Sequence, residues 1–213
     1  MNGKWILALA VAAFLLSEDF KPARFTSGDV PAQPVQTLGG GEVLLELEVD
    51  ASGTVASVVT LRSTPPFTEL LREKVARWRF EPATEKKGPV ESKVLVAGWF
   101  RPPTLFRGAM PGAAPRDVRA PSPELPFPRS TSTPPYPPRA LGNRVVLVEV
   151  EVGEAGQVAE ARVVRSATGF DVASLKAARQ WKFRPARREG APSVALAYIV
   201  FGFREPVTGG SFP

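Results

Sequence analysis

One pattern is written twice in this chain. Trp-Arg-Phe-Glu-Pro-Ala fills residues 78–83 and Trp-Lys-Phe-Arg-Pro-Ala fills residues 181–186, a spacing of 103. The same shift lays Gly53 on Gly156 and aligns residues 43–83 with residues 146–186 without a gap. Of those 41 pairs, 15 are identical, among them Val43, Glu46, Gly53, Phe67, Trp78, Phe80 and Pro82. Any fold must therefore accommodate two copies of one unit. Two are too few for a solenoid, and 213 residues at 44% apolar content suit two small domains.

Each copy reads as strand, strand, helix, strand. Val43, Leu45, Leu47 and Val49 alternate, as do Val146, Val148, Val150 and Val152, which is the period of a half-buried strand. Glu149 and Glu151 fall on the opposite face and read as solvated. Residues 50–53 and 153–156 are tight turns ending in Gly. The strand after each turn alternates raggedly, which predicts a bulge. Thr68 and Asp171 occupy equivalent places and are N-cap types. Leu71, Val75 and Trp78 then form one apolar stripe, as do Leu175, Ala178 and Trp181; Pro82 and Pro185 stop the helix. Both tryptophans read as core anchors. A third strand spans residues 90–100 and 193–203. The expected class is α+β: two small domains, each a three-stranded antiparallel sheet with a helix on one face, ββαβ.

The remaining segments divide as follows. Residues 1–34 hold Lys4 and an apolar run over residues 5–16, bounded by Trp5 and Leu16. Twelve residues fall short of the roughly 20 a spanning helix needs. Three readings stand: a cleaved secretory signal, a short uncleaved tether to the inner membrane, or a plain buried start; the first two send the rest to the periplasm. Residues 35–101 are the first copy, residues 102–135 a Pro-rich extended linker, residues 136–205 the second copy and residues 206–213 a tail. The chain has no Cys and no His, which removes disulfides, the common zinc and haem sites and Cys-His or Ser-His nucleophile pairs. No cofactor, metal site or enzymatic activity is expected. The net charge of +6 comes from scattered residues such as Arg62, Arg77 and Arg187, so nucleic acid is not an expected partner.

The second copy resembles the TonB carboxy-terminal domain family. The likeness runs through Tyr136, Pro137 and Ala140, then Gly156 and Val158, then Val163 and Ser166, the Ala-rich stretch 170–180, the Trp181 pattern and the closing residues 200–203. The first copy resembles it in degenerate form, lacking the Tyr-Pro opening. This resemblance implies a periplasmic protein that binds the amino-terminal peptide of outer-membrane transporters by adding it to the free edge of the last strand, in energy-coupled transport with inner-membrane motor proteins as further partners. The peptide-facing positions would be Val194, Leu196, Tyr198 and Val200, with Ala195, Ala197 and Ile199 between them. A second reading is an envelope scaffold with TonB-like folds and no energy transduction, whose edge strands pair with each other.

Overall fold

In a computed structural model, residues 20–32, 34, 39–102 and 116–206 are described. The first half contains β1 (Arg24–Ser27), β2 (Gly41–Val49), β3 (Val55–Ser63), α1 (Phe67–Val75), β4 (Arg79–Glu81), β5 (Ala83–Glu85), β6 (Gly88–Val90) and β7 (Ser92–Phe100). The second contains β8 (Arg116–Asp117), β9 (Phe127–Ser130), β10 (Arg144–Val152), β11 (Val158–Arg165), α2 (Asp171–Ala178), β12 (Lys182–Arg184), β13 (Ala186–Arg188), β14 (Ala191–Ser193) and β15 (Ala195–Phe203). The mixed α+β character matches the expectation. The apolar run at residues 5–16 lies outside the described residues, among which no helix is long and apolar enough to cross a membrane.

The two halves do not make two sheets. They share one of seven strands, in the order β11-β10-β15-β7-β2-β3-β8. Within each half the long strands are antiparallel, while β7 and β15 meet in parallel, from Leu95 opposite Ala197 to Phe100 opposite Gly202. Equivalent strands lying side by side in parallel are related by a pseudo-two-fold along the strands. Such a rotation exchanges the faces of the sheet. So α1 packs on the face carrying Val43, Leu45 and Leu47, together with Leu147, Tyr198 and Val200 from the other half. On the opposite face α2 packs over Val146, Val148 and Val150, together with Leu44, Leu95 and Ala97. Neither core is complete without the partner half. Register shifts in β2–β3 and β10–β11 place the expected bulges in the second strands.

A helix on each face still leaves half of that face bare. The bare parts are covered by two arms, residues 20–32 and 116–135. The first buries Ala23 and Phe25 against Tyr198; the second buries Leu125 beside Leu44 and Leu61. Residues 116–135 are thus part of the packed body, where the sequence suggested a linker. Proline content there marks an extended path with few donors of its own, and that path is used for packing.

The repeated hexapeptide explains how each arm is held. Trp78 and Trp181 are buried at the helix ends, and their indole N–H groups donate to Asp29 O at 2.8 Å and Ser132 O at 2.9 Å. The following residues form β4 and β12, which pair with β1 and β9 in the arms. Phe80 N–H donates to Gly53 O and Phe183 N–H to Gly156 O, both at 2.8 Å. That contact needs glycine: φ is +81° at Gly53 and +83° at Gly156, and a Cβ there would stand 1.9 or 2.0 Å from a phenylalanine carbonyl oxygen. Thr68 and Asp171 lie inside the first helical turns and are not N-caps. Each side chain reaches back instead, accepting the N–H of Thr64 at 2.8 Å and of Ala167 at 2.9 Å.

Candidate functional site

A sheet that receives a visiting strand needs an edge with unpaired N–H and C=O groups. The expected edge was β15. It has neighbours on both sides, β10 and β7. Of the seven expected contact residues, Val194 is 38% exposed and Ala195 half-buried, whereas Leu196, Ala197, Tyr198, Ile199 and Val200 are buried. The expected free rim is therefore filled by β7. The physical reason is that each half ends in an equivalent strand with the same unmet backbone groups, and the two satisfy each other. Adding a strand along Ala197 to Val200 requires β7 to leave.

Tyr198 is a post in the interior. Its hydroxyl accepts the N–H of Phe25 at 2.7 Å and donates to Glu149 Oε2 at 3.0 Å. Glu149, expected to be solvated, is buried beneath the first arm. It accepts two bonds from Arg162, at 2.7 and 2.9 Å, and Arg24 lies 3.3 Å away. Burial, then the neighbouring carboxylate, push the Tyr198 phenol far above its ordinary range, while Glu149 in turn holds the Arg162 guanidinium charge more firmly. The equivalent carboxylate in the first half, Glu46, accepts the N–H of Ser122 at 3.3 Å from the second arm and pairs with Lys93 at 3.4 Å. Each arm is thus anchored on the middle-strand glutamate of the other half.

Two edges remain, β11 at one end of the sheet and β3 near the other. Both second strands carry two register shifts, so the edges differ in charge: β11 carries Glu160, Arg162 and Arg165, which blunt an edge against pairing. β3 differs. β8 pairs with it only at Arg62 and Ser63, held by Arg62 Nε on Asp117 at 2.6 Å, and Val118 N–H donates to Leu61 O at 2.8 Å. From Val55 to Thr60 the outer side of β3 has no strand beside it among the described residues, and the sequence there is Val-Ala-Ser-Val-Val-Thr. It is uncharged and rich in β-branched residues, the composition of a strand that pairs readily. That contrast with β11 was present in the sequence. It could not be used until the strand order was fixed.

Residues 132–204, spanning β10 to β15 and α2, match the family described as Gram-negative bacterial TonB protein C-terminal. This stretch, about a third of the chain, is similar to a TonB carboxy-terminal domain. Such domains are transport-associated and non-enzymatic, are typically periplasmic, and interact with outer-membrane proteins in general. No curated protein and no solved structure matches the chain. The match begins at the residue whose carbonyl receives the Trp181 indole, so the first half, the first arm and most of the second arm lie outside it.

Proposed function

We propose that this chain is a periplasmic, TonB-like binding protein built from two copies of one unit, which takes the extended amino-terminal peptide of an outer-membrane transporter as an added strand. The observation that carries the choice of site is the contrast between the edges. β15 is enclosed and β11 is guarded by charge, while the outer side of β3 over residues 55–60 is uncharged and uncovered. Backbone pairing there would supply affinity with few demands on partner sequence, and β8 already occupies the end of the same edge in the antiparallel sense.

The test is a backbone-amide NMR titration of the whole chain with synthetic peptides copying the periplasm-facing amino-terminal segments of TonB-dependent transporters. Shifts over residues 55–60, with β7 and β15 unmoved, are the expected result. Shifts over residues 194–200 together with loss of hydrogen-exchange protection in β7 would move the site to the seam. No shifts on either edge would leave the envelope-scaffold reading, for which the β7–β15 pairing is the supporting feature and the transport association of TonB domains the opposing one.

A further inference from the structure

The two helices occupy equivalent places in the repeat, yet their outer faces differ in chemistry. The 103-residue shift lays Glu69 and Glu73 of α1 on Val172 and Lys176 of α2. All four side chains are exposed, so core packing does not account for the difference. Val172 is 81% exposed and Leu141 76%, more than any other large apolar side chain among the described residues. The two are carried on touching segments. The Tyr136 ring meets the Phe170 ring edge-on at 5.3 Å, and a Cβ on Gly169 would stand 3.8 Å from the Ala140 Cβ. Single exposed apolar residues are ordinary on a protein surface, whereas neighbouring ones make a patch.

Cations surround the pair. Lys176 and Arg179 follow Val172 at i+4 and i+7, on the same side of α2. Arg139 is exposed just before Leu141, and the Arg144 guanidinium lies beside Gly142, where an added Cβ would stand 3.0 Å from its Nη1. None of the four is paired with a carboxylate among the described residues. Asp171, the acid within α2, is turned back to the Ser166 hydroxyl and the Ala167 N–H, and Glu205 is tied by its own N–H to Asn143 Oδ1 at 2.9 Å. Charge that looks scattered along the sequence is here gathered around one apolar pair.

We infer that this end of the second half lies against an anionic lipid surface. Leu141 and Val172 enter the headgroup layer, and the four cations meet the lipid phosphates around them. An acidic protein or a nucleic acid would satisfy the cations and leave the apolar pair wet; a bilayer interface takes both. This orientation leaves the rest of the molecule clear. α2 packs over β10 and β11, at the end of the sheet away from β3, and α1 lies on the opposite face. The lipid contact is therefore independent of the strand edge.

The apolar run at residues 5–16 can bind lipid by itself, so the readout is taken at the site. The full chain is titrated with bicelles carrying a spin-labelled lipid, either with phosphatidylglycerol present or with phosphatidylcholine alone. The amides of Leu141 and Val172 should broaden in the anionic bicelles and stay sharp in the neutral ones, with residues 55–60 sharp in both. Lys176→Gln with Arg179→Gln should raise the lipid concentration needed for half the effect by about twentyfold, which is about fivefold per charge. Leu141→Ser with Val172→Ser should raise it by about tenfold. Arg72→Gln with Arg77→Gln removes the same charge from α1 and should change it by less than about twofold. All six side chains are exposed, so each variant keeps the fold, which unchanged amide positions elsewhere verify. No broadening at Leu141 and Val172, equal broadening in neutral bicelles, equal loss in the α1 variant, or indifference to the two serine substitutions would each overturn the assignment. So would polyglutamate shifting the Lys176 and Arg179 amides while lipid leaves Leu141 and Val172 sharp; the face would then belong to an acidic protein.

Discussion

Tyr198 separates two views of the last strand. If it were a peptide-facing residue on an open edge, Tyr198→Phe would change binding and leave stability alone. As an interior post it does the reverse. The substitution removes the acceptor of the Phe25 N–H and one donor to Glu149. A buried N–H without a partner costs about 1–3 kcal/mol, and a hydrogen bond to a charged group contributes about 1.5–3 kcal/mol. These losses overlap, because Arg162 still holds Glu149 and the first arm can shift, so the expected destabilisation is about 3 kcal/mol. Urea unfolding followed by tryptophan fluorescence measures it, with Trp78 reporting from a ring contact 6.2 Å from Tyr198. Hydrogen exchange at the Phe25 amide should rise in parallel. The pH dependence adds a second signature. The folded phenol is raised above its ordinary value near 10, so its stabilisation is present below about pH 10 and is lost as pH climbs past it, where only the unfolded phenol ionises. Tyr198→Phe should remove that alkaline component. A loss under about 1 kcal/mol with unchanged exchange at Phe25 would refute the interior role.

Three further outcomes follow from the same geometry. Gly53→Ala and Gly156→Ala each force a Cβ onto a phenylalanine carbonyl at positive φ and should cost about 3 kcal/mol or more by thermal or urea unfolding, equally in both halves. Trp78→Phe and Trp181→Phe remove the indole bond to an arm and should each cost about 2 kcal/mol; exchange should quicken around Tyr198 in the first variant and around Glu46 in the second. Asp117→Asn releases the clasp of β8 on β3. Because Arg62 holds the Asp117 carboxyl below its usual range, acid should have the same effect: the contact is present above about pH 4 and fades as pH falls. Stability should change by less than about 1 kcal/mol, while the amides of Val118 and Arg119 exchange faster.

Much of each half was legible in the residues. Alternation located β2 and β10, the Gly-ended turns located the hairpins, and raggedness after them located the bulges. Those signals are local, set by side-chain period and backbone freedom at one turn. The arms were not legible. The 103-residue offset does continue into them, since β1 and β9 correspond, but the arms share little sequence beyond Ser27 with Ser130 and Pro31 with Pro134. Their side chains meet different surfaces: Phe25 packs against Tyr198, while Leu125 packs beside Leu44. The fate of the β15 edge was hidden for a related reason. Its residues read as a strand with one packed face, and nothing within it says whether the neighbour on the far side is a visitor or the chain itself. Glu149 misled because an acidic residue facing away from its own helix is usually wet, and here an arm from 120 residues upstream covers it.

The exchange of faces at the seam sets each half against the other half's arm, and because the two arms differ the halves differ with them. Where one carries Tyr198 and Arg162, the other carries Leu95 and Val59, since each position looks onto the opposite arm rather than its own. A chain joining two identical second halves would set two tyrosines against arms of which only one can satisfy them. Divergence between the halves is thus the form their mutual fit takes, and neither can be exchanged for the other.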